Sequence, residues 1–299
     1  MLLLALFTVK IGVFGLFHPT HLTVEAPPRQ VLMVNGTPNH AVDIQWNDGP
    51  AQITARDGGP TDFVLSVPGK IQRNFRGTLS VSAVGDELIP VITMDLEQAV
   101  AAVVAAEYPE GTHTEALKAA AVLARSYYTA PGMRHRNFDF CDTTHCQFHR
   151  APPPAQHAAT QAAHDTAGLT IAYQNQGFAP LYSASCGGHT RTALSAGLQP
   201  DPYPYFAVDC PWCRRNSRAW TQRIENEVIP TEQFRLARKI PSNNYTIDKS
   251  TGVIHGRGEG HGVGLCQLGA ESMAASGASF RDILNHYYPN TTCSRLSQR

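Results

Sequence analysis

The chain has 299 residues, with 24 Lys+Arg balanced by 24 Asp+Glu for a formal net charge of zero at pH 7. At roughly 150 residues per domain this length predicts one or two domains, and the missing basic excess argues against nucleic acid as a partner. Hydrophobic residues at 42% leave ample material for a core, charged residues are only 16%, and no apolar run approaches the roughly 18 residues of a membrane-spanning helix.

Met1 to Phe7 (MLLLALF) is apolar but lacks a basic leader, and Lys10 interrupts the run before Ile11 to Phe17. Residues 1–9 read either as the remnant of an export signal or as a first strand, in which Val9, Ile11 and Val13 alternate with Lys10 and Gly12. Residues 10–90 read as a β-rich scaffold or docking region. Short alternating runs at Leu22–Ala26, Val31–Val34, Ala51–Ala55, Phe63–Val67, Gly77–Val81 and Glu87–Val91 are separated by turn chemistry such as Asn35-Gly36 and Asp57-Gly58-Gly59-Pro60.

Residues 91–299 have a different character. Asp95 is placed to cap a helix, with Gln98 three residues on as in a capping box. The helix LEQAVAAVVAAE is nearly all apolar and must stop near Glu107, because Pro109 biases Tyr108 away from the α region. Thr114 starts a second Ala-rich helix with Leu117, Ala120, Ala121, Leu123 and Ala124 facing inward. A His/Cys-rich loop follows at 132–150, then a helix over about 155–166 and strands at Leu169–Gln174 and Ala179–Ser185. A long irregular stretch runs through Trp220. A glycine loop at Gly256–Gly264 leads into helices at about 265–276 and 279–288. The class is α+β, a β-rich N-terminal part followed by a mixed catalytic region with Ala-rich helices.

Four groups of residues could carry chemistry. Glu107 sits in the last turn of a helix, where unsatisfied carbonyls and apolar neighbours should keep a carboxyl protonated, as a general acid requires. The plainer alternative is a solvated carboxylate at a helix end. His135, Cys141, His145 and Cys146 offer two imidazoles and two thiols within twelve positions, with His149 also in reach. That donor set fits tetrahedral zinc with no open position, and a Cys141–Cys146 disulfide or two loose thiols are the alternatives. His-Cys-Gln-Phe-His lacks the Glu of a zincin helix. In Gly256–Ala270 (GRGEGHGVGLCQLGA) alternate glycines allow close backbone approach, but neither a dinucleotide fingerprint nor a Walker pattern is present. Its polar groups are His261 and Gln267, or the loop is a tight turn around a structural histidine.

Leu181–Thr190 (LYSASCGGHT) places Cys186 near His189, which invites a thiol-hydrolase reading that adjacency alone does not support. Cys210-Pro211-Trp212-Cys213 lacks the surroundings of a redox motif, so a bridge from Cys186 to one of this pair is the plainer account. Seven cysteines are an odd number. A fully paired framework would leave one over, so some hold metal or stay reduced.

The order of these motifs closely resembles the stage II sporulation protein D family, which includes the LytB amidase-enhancer proteins. AVAAVVAAEYPEGTHTEALKAAAVLARSYYTA, FDFCDTTHCQFH, YSASCGGHT, GRGEGHGVGLCQLGA and FRDILNHYYPNT follow one another across about Gly77–Thr292. The resemblance implies a peptidoglycan lytic transglycosylase, which cleaves the β-1,4 bond between N-acetylmuramic acid and N-acetylglucosamine in peptide-stripped strands and leaves 1,6-anhydro ends. It implies that Glu107, in Ala-Glu-Tyr-Pro where the family has Ala-Glu-Met-Pro, is the single acid and base. It also implies that Tyr182, Ser185, His189, His261 and Gln267 line a glycan groove, and that His135, Cys141, His145 and Cys146 hold a structural zinc with no organic cofactor.

The partners so implied are glycan strands and a cell-wall amidase, in an extracytoplasmic, cell-envelope setting. Membrane anchoring follows only from an uncleaved N-terminal signal. The competing class is a non-catalytic enhancer that binds glycan and stimulates an N-acetylmuramoyl-L-alanine amidase. A zinc hydrolase ranks third.

Overall fold

The computed structural model describes residues 7–132, 134–199, 202–224 and 231–296. The apolar stretch Met1–Leu6 therefore lies outside the described residues. In chain order the elements begin with β1 (Thr8–Gly12), β2 (His21–Glu25), β3 (Leu32–Val34), β4 (Thr37–Asn39), β5 (Ala41–Gln45), β6 (Ala51–Thr54), β7 (Thr61–Val67), β8 (Ile71–Val84) and β9 (Glu87–Asp95). Helices α1 (Leu96–Glu107) and α2 (Thr114–Thr129) follow, then β10 (Phe140–Cys141), α3 (Ala158–Asp165), β11 (Leu169–Tyr173), β12 (Gln176–Gly177) and β13 (Tyr182–Ser183). The remainder is α4 (Pro211–Asn216), β14 (Ala219–Arg223), α5 (Glu232–Ala237), β15 (Tyr245–Asp248), β16 (Val253–Arg257), β17 (Leu265–Cys266), α6 (Gln267–Ala275), α7 (Phe280–Tyr287) and β18 (Thr291–Arg295). The chain is α+β, and it divides into two compact units.

The first unit comprises residues 1–109, 131–167 and 298–299. Its frame is one branched sheet in which β10-β1-β9-β8-β6-β3-β4 form a path, while β2 lies between β5 and β7, and β7 pairs β8. The sequence predicts a strand only over Gly77–Val81, but β8 is far longer and serves three partners, with Leu79–Val81 pairing β6. Ile71–Gly77 runs antiparallel to β7, and Thr78–Val84 antiparallel to β9. Gly77 stands at the changeover, where a Cβ would come within 2.5 Å of the Thr93 carbonyl oxygen. Strand β4 also escaped the sequence reading because Pro38 sits in it, which an end strand of the path tolerates.

The expected first strand is present as β1, with Val9 and Ile11 buried. Asp95 caps α1, its Oδ1 accepting the N–H groups of Glu97 and Gln98 at 2.9 and 3.1 Å. Ala99, Val100, Val103 and Val104 of that helix are buried, and α1 packs on α3.

The second unit comprises residues 110–130 and 168–297. Helix α2 is buried along most of its length and packs on β11, α6 and α7. The reciprocal capping box is found at α7, between Ser279 and Asp282. Around it lies an aromatic core in which Phe178 stacks on Tyr203 at 4.9 Å, with Tyr205 and Tyr288 against them. The stretch read as irregular through Trp220 holds α4 and the start of β14, which pairs β16 in a small sheet with β15. Only Tyr182–Ser183 of the expected strand Ala179–Ser185 is regular, because its partner β17 is two residues long.

Candidate functional site

In the first unit, Glu107 is the last residue of α1. Tyr108 is extended (φ −121°, ψ 137°), as a residue preceding proline should be, and its N–H closes the helix on the Val104 carbonyl at 3.1 Å. The Glu107 side chain is half-buried. A cavity of about 860 Å³ in this unit is lined by Phe63, Phe75, Gln98, Ala101 and Pro152–Pro154. It touches the start of α1, about 14 Å along the axis from Glu107 at 1.5 Å per residue.

The His/Cys loop is anchored by β10, which runs parallel to β1 with Ile11 opposite Phe140 and Gly12 opposite Cys141. A Cβ at Gly12 would fall 2.5 Å from the Phe138 ring, so a side chain there would displace that ring. This anchoring brings together His135, Cys141, His145 and Cys146, whose ligand atoms all lie within 4.8 Å of one another. His135 Nε2 is 3.2 Å from Cys146 Sγ, and His145 Nδ1 is 3.5 Å from Cys146 Sγ and 3.8 Å from Cys141 Sγ. The Cys141 thiol is held down at about 3, chiefly by its hydrogen bond with Cys146, while the Cys146 thiol is pushed up. His149 stands apart from this group, fully buried.

In the second unit the two glycine-containing motifs lie side by side. Tyr182 and Ser183 pair in parallel with Leu265 and Cys266, and Ser185 exchanges backbone hydrogen bonds with Glu259 at 2.8 and 3.1 Å. Gly258, Gly260, Gly262 and Gly264 all have positive φ. A Cβ on Gly264 would lie 1.8 Å from the Leu181 carbonyl oxygen, and one on Gly258 2.4 Å from that of Ser185. Only glycine permits this approach.

The residues expected to line a groove are distributed unequally here. His261 is half-buried and its Nδ1 accepts the Val263 N–H at 3.0 Å, which places the proton of the neutral ring on Nε2. Burial pushes its pKa down, against an opposing hydrogen bond with the Tyr182 backbone. Tyr182 and Gln267 are half-buried. His189 is exposed, 3.7 Å from Asp209 Oδ1. Ser185 is buried, and its hydroxyl lies 3.1 Å from Cys213 Sγ, so it is committed to sulfur rather than to a groove.

The bridge expected between Cys186 and Cys210 or Cys213 is not formed, since all seven cysteines are free. Instead Cys186, Cys210, Cys213 and Cys266 converge. Sequence reasoning passed over this group because the four span eighty positions, and only the Cys-x-x-Cys spacing of two hinted at it.

Residues 85–173 match the family model described as Stage II sporulation protein, SpoIID. The matched span holds Glu107 and all four residues of the His/Cys group. A Brachyspira hyodysenteriae protein is 29% identical over 260 residues, which cover 72% of this chain and 70% of that one. Stage II sporulation protein D of Bacillus amyloliquefaciens is 25% identical over 263 residues, covering 68% and 75%. The amidase enhancer of Bacillus subtilis is 41% identical over 75 residues, only 23% of this chain and 11% of the relative. No helix among the described residues is long and apolar enough to cross a membrane.

Proposed function

We propose that this protein acts on the bacterial cell wall, outside the cytoplasm, as a peptidoglycan lytic transglycosylase with Glu107 as its single acid and base. The observation that carries the reading is the half-buried carboxyl ending α1 in Ala-Glu-Tyr-Pro, inside the span that matches the SpoIID model. Ordinary glycosidases need two carboxyl groups, because a water or an enzyme nucleophile must be activated separately from the leaving group. A muramyl residue carries its own nucleophile, the 6-hydroxyl, close to C1, and proximity replaces the second carboxyl.

Glu107 gives its proton to the glycosidic oxygen as the bond from C1 to that oxygen breaks. The 6-hydroxyl oxygen then bonds to C1, and its proton returns to Glu107. The products are a free 4-hydroxyl on N-acetylglucosamine and a 1,6-anhydro muramyl end, with no water consumed. Tyr182, His189, His261 and Gln267 supply polar contacts to glycan.

His135, Cys141, His145 and Cys146 form a donor set of two thiols and two imidazoles that suits zinc. With four protein ligands, such an ion would supply rigidity to the loop and would leave no position for an activated water. The test of the enzymatic reading is Glu107→Gln, assayed by mass spectrometry of peptide-free glycan strands after incubation. Loss of anhydro ends in a variant that keeps the wild-type circular dichroism supports it, and undiminished anhydro product removes Glu107 from the reaction. Wild-type protein that yields no anhydro ends yet accelerates a cell-wall amidase would favour the activity named in the amidase-enhancer relative.

A further inference from the structure

The second unit contains four cysteines that the glycan chemistry does not use. Cys186 follows the strand that pairs with β17, Cys210 and Cys213 flank the start of α4, and Cys266 is the N-cap of α6. Each is at most 1% exposed, none is in a disulfide, and their four Sγ atoms lie within 4.8 Å of one another. Two disulfides would bring the sulfurs together as separate bonded pairs about 2.05 Å apart. A shared approach of all four describes a common centre.

We propose that Cys186, Cys210, Cys213 and Cys266 bind a second zinc ion as a closed tetrathiolate, independent of the His/Cys loop and of the transglycosylase reading.

Donors aimed at the sulfurs support this assignment. The Cys186 and Gly269 N–H groups donate to Cys266 Sγ at 3.3 Å each, and the Gly187 N–H to Cys213 Sγ at 3.2 Å. Hydroxyls add to them, with Ser185 Oγ 3.1 Å from Cys213 Sγ and the Tyr287 hydroxyl 3.2 Å from Cys210 Sγ. Thiolates around a cation carry net negative charge, and such N–H and O–H groups are the outer partners that stabilise it. Neutral thiols in an apolar core would not need them.

Glycines make the approach possible. A Cβ on Gly269 would lie 2.5 Å from Cys210 Sγ and 2.0 Å from the Tyr287 hydroxyl oxygen. Gly187 and Gly188 both take positive φ, turning the chain back directly after Cys186.

The metal follows from size and softness. A tetrahedral centre with zinc–sulfur bonds of about 2.3 Å separates its sulfurs by about 3.8 Å, within the observed spread. A polynuclear iron–sulfur cluster would need its thiolates spread around several irons. Four soft ligands select zinc over magnesium or calcium, and with no vacant position the ion is structural. It ties three separated segments together, including Cys266, two residues beyond the Gly258–Gly264 run, and so fixes that loop against Tyr182–Ser185.

The experiment is metal analysis of the full chain and of a Cys141→Ser/Cys146→Ser variant, purified under reducing conditions. The variant, having lost the ligands of the first group, should retain one zinc per chain, and its cobalt-exchanged form should show the absorption of a tetrathiolate ion. A folded variant with no zinc would overturn the proposal. Should the variant not fold, wild-type protein is denatured in acid with an alkylating reagent and mapped by mass spectrometry. Alkylation at Cys186, Cys210, Cys213 and Cys266, together with a tetrathiolate spectrum in cobalt-exchanged wild type, supports the site. A disulfide linking any two of the four, or a cobalt spectrum with only the mixed sulfur–nitrogen signature, overturns it.

Discussion

Arg73 Nη1 lies 3.1 Å from Asp142 Oδ2, which joins β8 to the residue directly after Cys141. The Asp142 side chain is 7% exposed and that of Arg73 22%. The same carboxylate oxygen accepts the Phe14 N–H at 3.3 Å, and Arg73 also donates to the His149 carbonyl at 3.3 Å. The pair thus holds both ends of the Cys141–His149 segment to the sheet. Burial pushes the Asp142 carboxyl upward, while the Phe14 N–H and the Arg73 charge pull it back.

Removing the carboxylate in Asp142→Ala strands the guanidinium. A fully buried pair so broken costs about 3–5 kcal/mol; Arg73 keeps some contact with water, so about 2–3 kcal/mol is expected. Urea unfolding with an unchanged slope should show it as a lowered midpoint. A change within about 0.5 kcal/mol, the range of an ordinary surface substitution, would mean that the pair contributes nothing.

His149 should make stability depend on pH. It is fully buried, and neither ring nitrogen has a hydrogen-bond partner among the described residues. Burial first and the Arg73 charge second push its pKa down to about 3, against about 6.5 in an unfolded chain. Between those values the unfolded chain holds a proton that the native state refuses. This contribution is therefore complete above pH 6.5 and is lost as pH falls toward 3. Asp142, with its raised pKa, acts in the opposite sense, so the wild-type slope is a sum. The difference between wild type and His149→Phe isolates the histidine. Wild type should lose more stability than the variant between pH 7 and pH 4 in parallel urea titrations. Identical acid dependence would mean that the native ring takes up its proton like a solvated one.

The glycine loop separates strain from collision. Gly262 has φ +73°, and an added Cβ would meet nothing closer than Arg191 Cγ at 3.8 Å. Gly262→Ala should therefore cost only the left-handed penalty of about 1–2 kcal/mol. Gly264 has φ +71° but would press its Cβ to 1.8 Å from the Leu181 carbonyl oxygen. Gly264→Ala should cost well over about 4 kcal/mol or fail to fold. Thermal unfolding of the two variants side by side checks this, and equal midpoints would mean that the backbone yields freely at Leu181.

What the sequence made legible was what local chemistry decides. Asp95, the Ala-rich run and Pro109 bound α1 on both sides, and four metal-type donors inside twelve positions mark the His/Cys loop. What it hid was decided at long range. Polar residues such as Arg73, Asn74 and Arg76 mask the first half of β8, whose strand character comes from pairing with β7. The family resemblance implied a groove position for Ser185, while its hydroxyl lies 3.1 Å from a sulfur contributed from α4. Cys186 and Cys266 meet only because β13 and β17 run parallel, and no spacing rule reaches across eighty positions.

The His/Cys loop carries the last prediction, which separates structure from chemistry. A zinc ion held by His135, Cys141, His145 and Cys146 would tie together a segment whose only regular pairing among the described residues is the two-residue β10. Its ligands must bind in their deprotonated forms, so affinity should fall as pH drops. Because four protein ligands leave no vacant position, the metal cannot activate water. Chelation should therefore lower the melting temperature by several degrees, as a loss of about 1–2 kcal/mol does in a unit of this size. Turnover of glycan by the molecules still folded should stay within about twofold, an energy difference of only about 0.4 kcal/mol. Activity measured below the lowered melting temperature, with and without chelator, reads the two effects apart. Full loss of turnover at unchanged melting temperature would make the metal catalytic. A wild-type chain isolated without zinc and with Cys141 bonded to Cys146 would remove it from the loop.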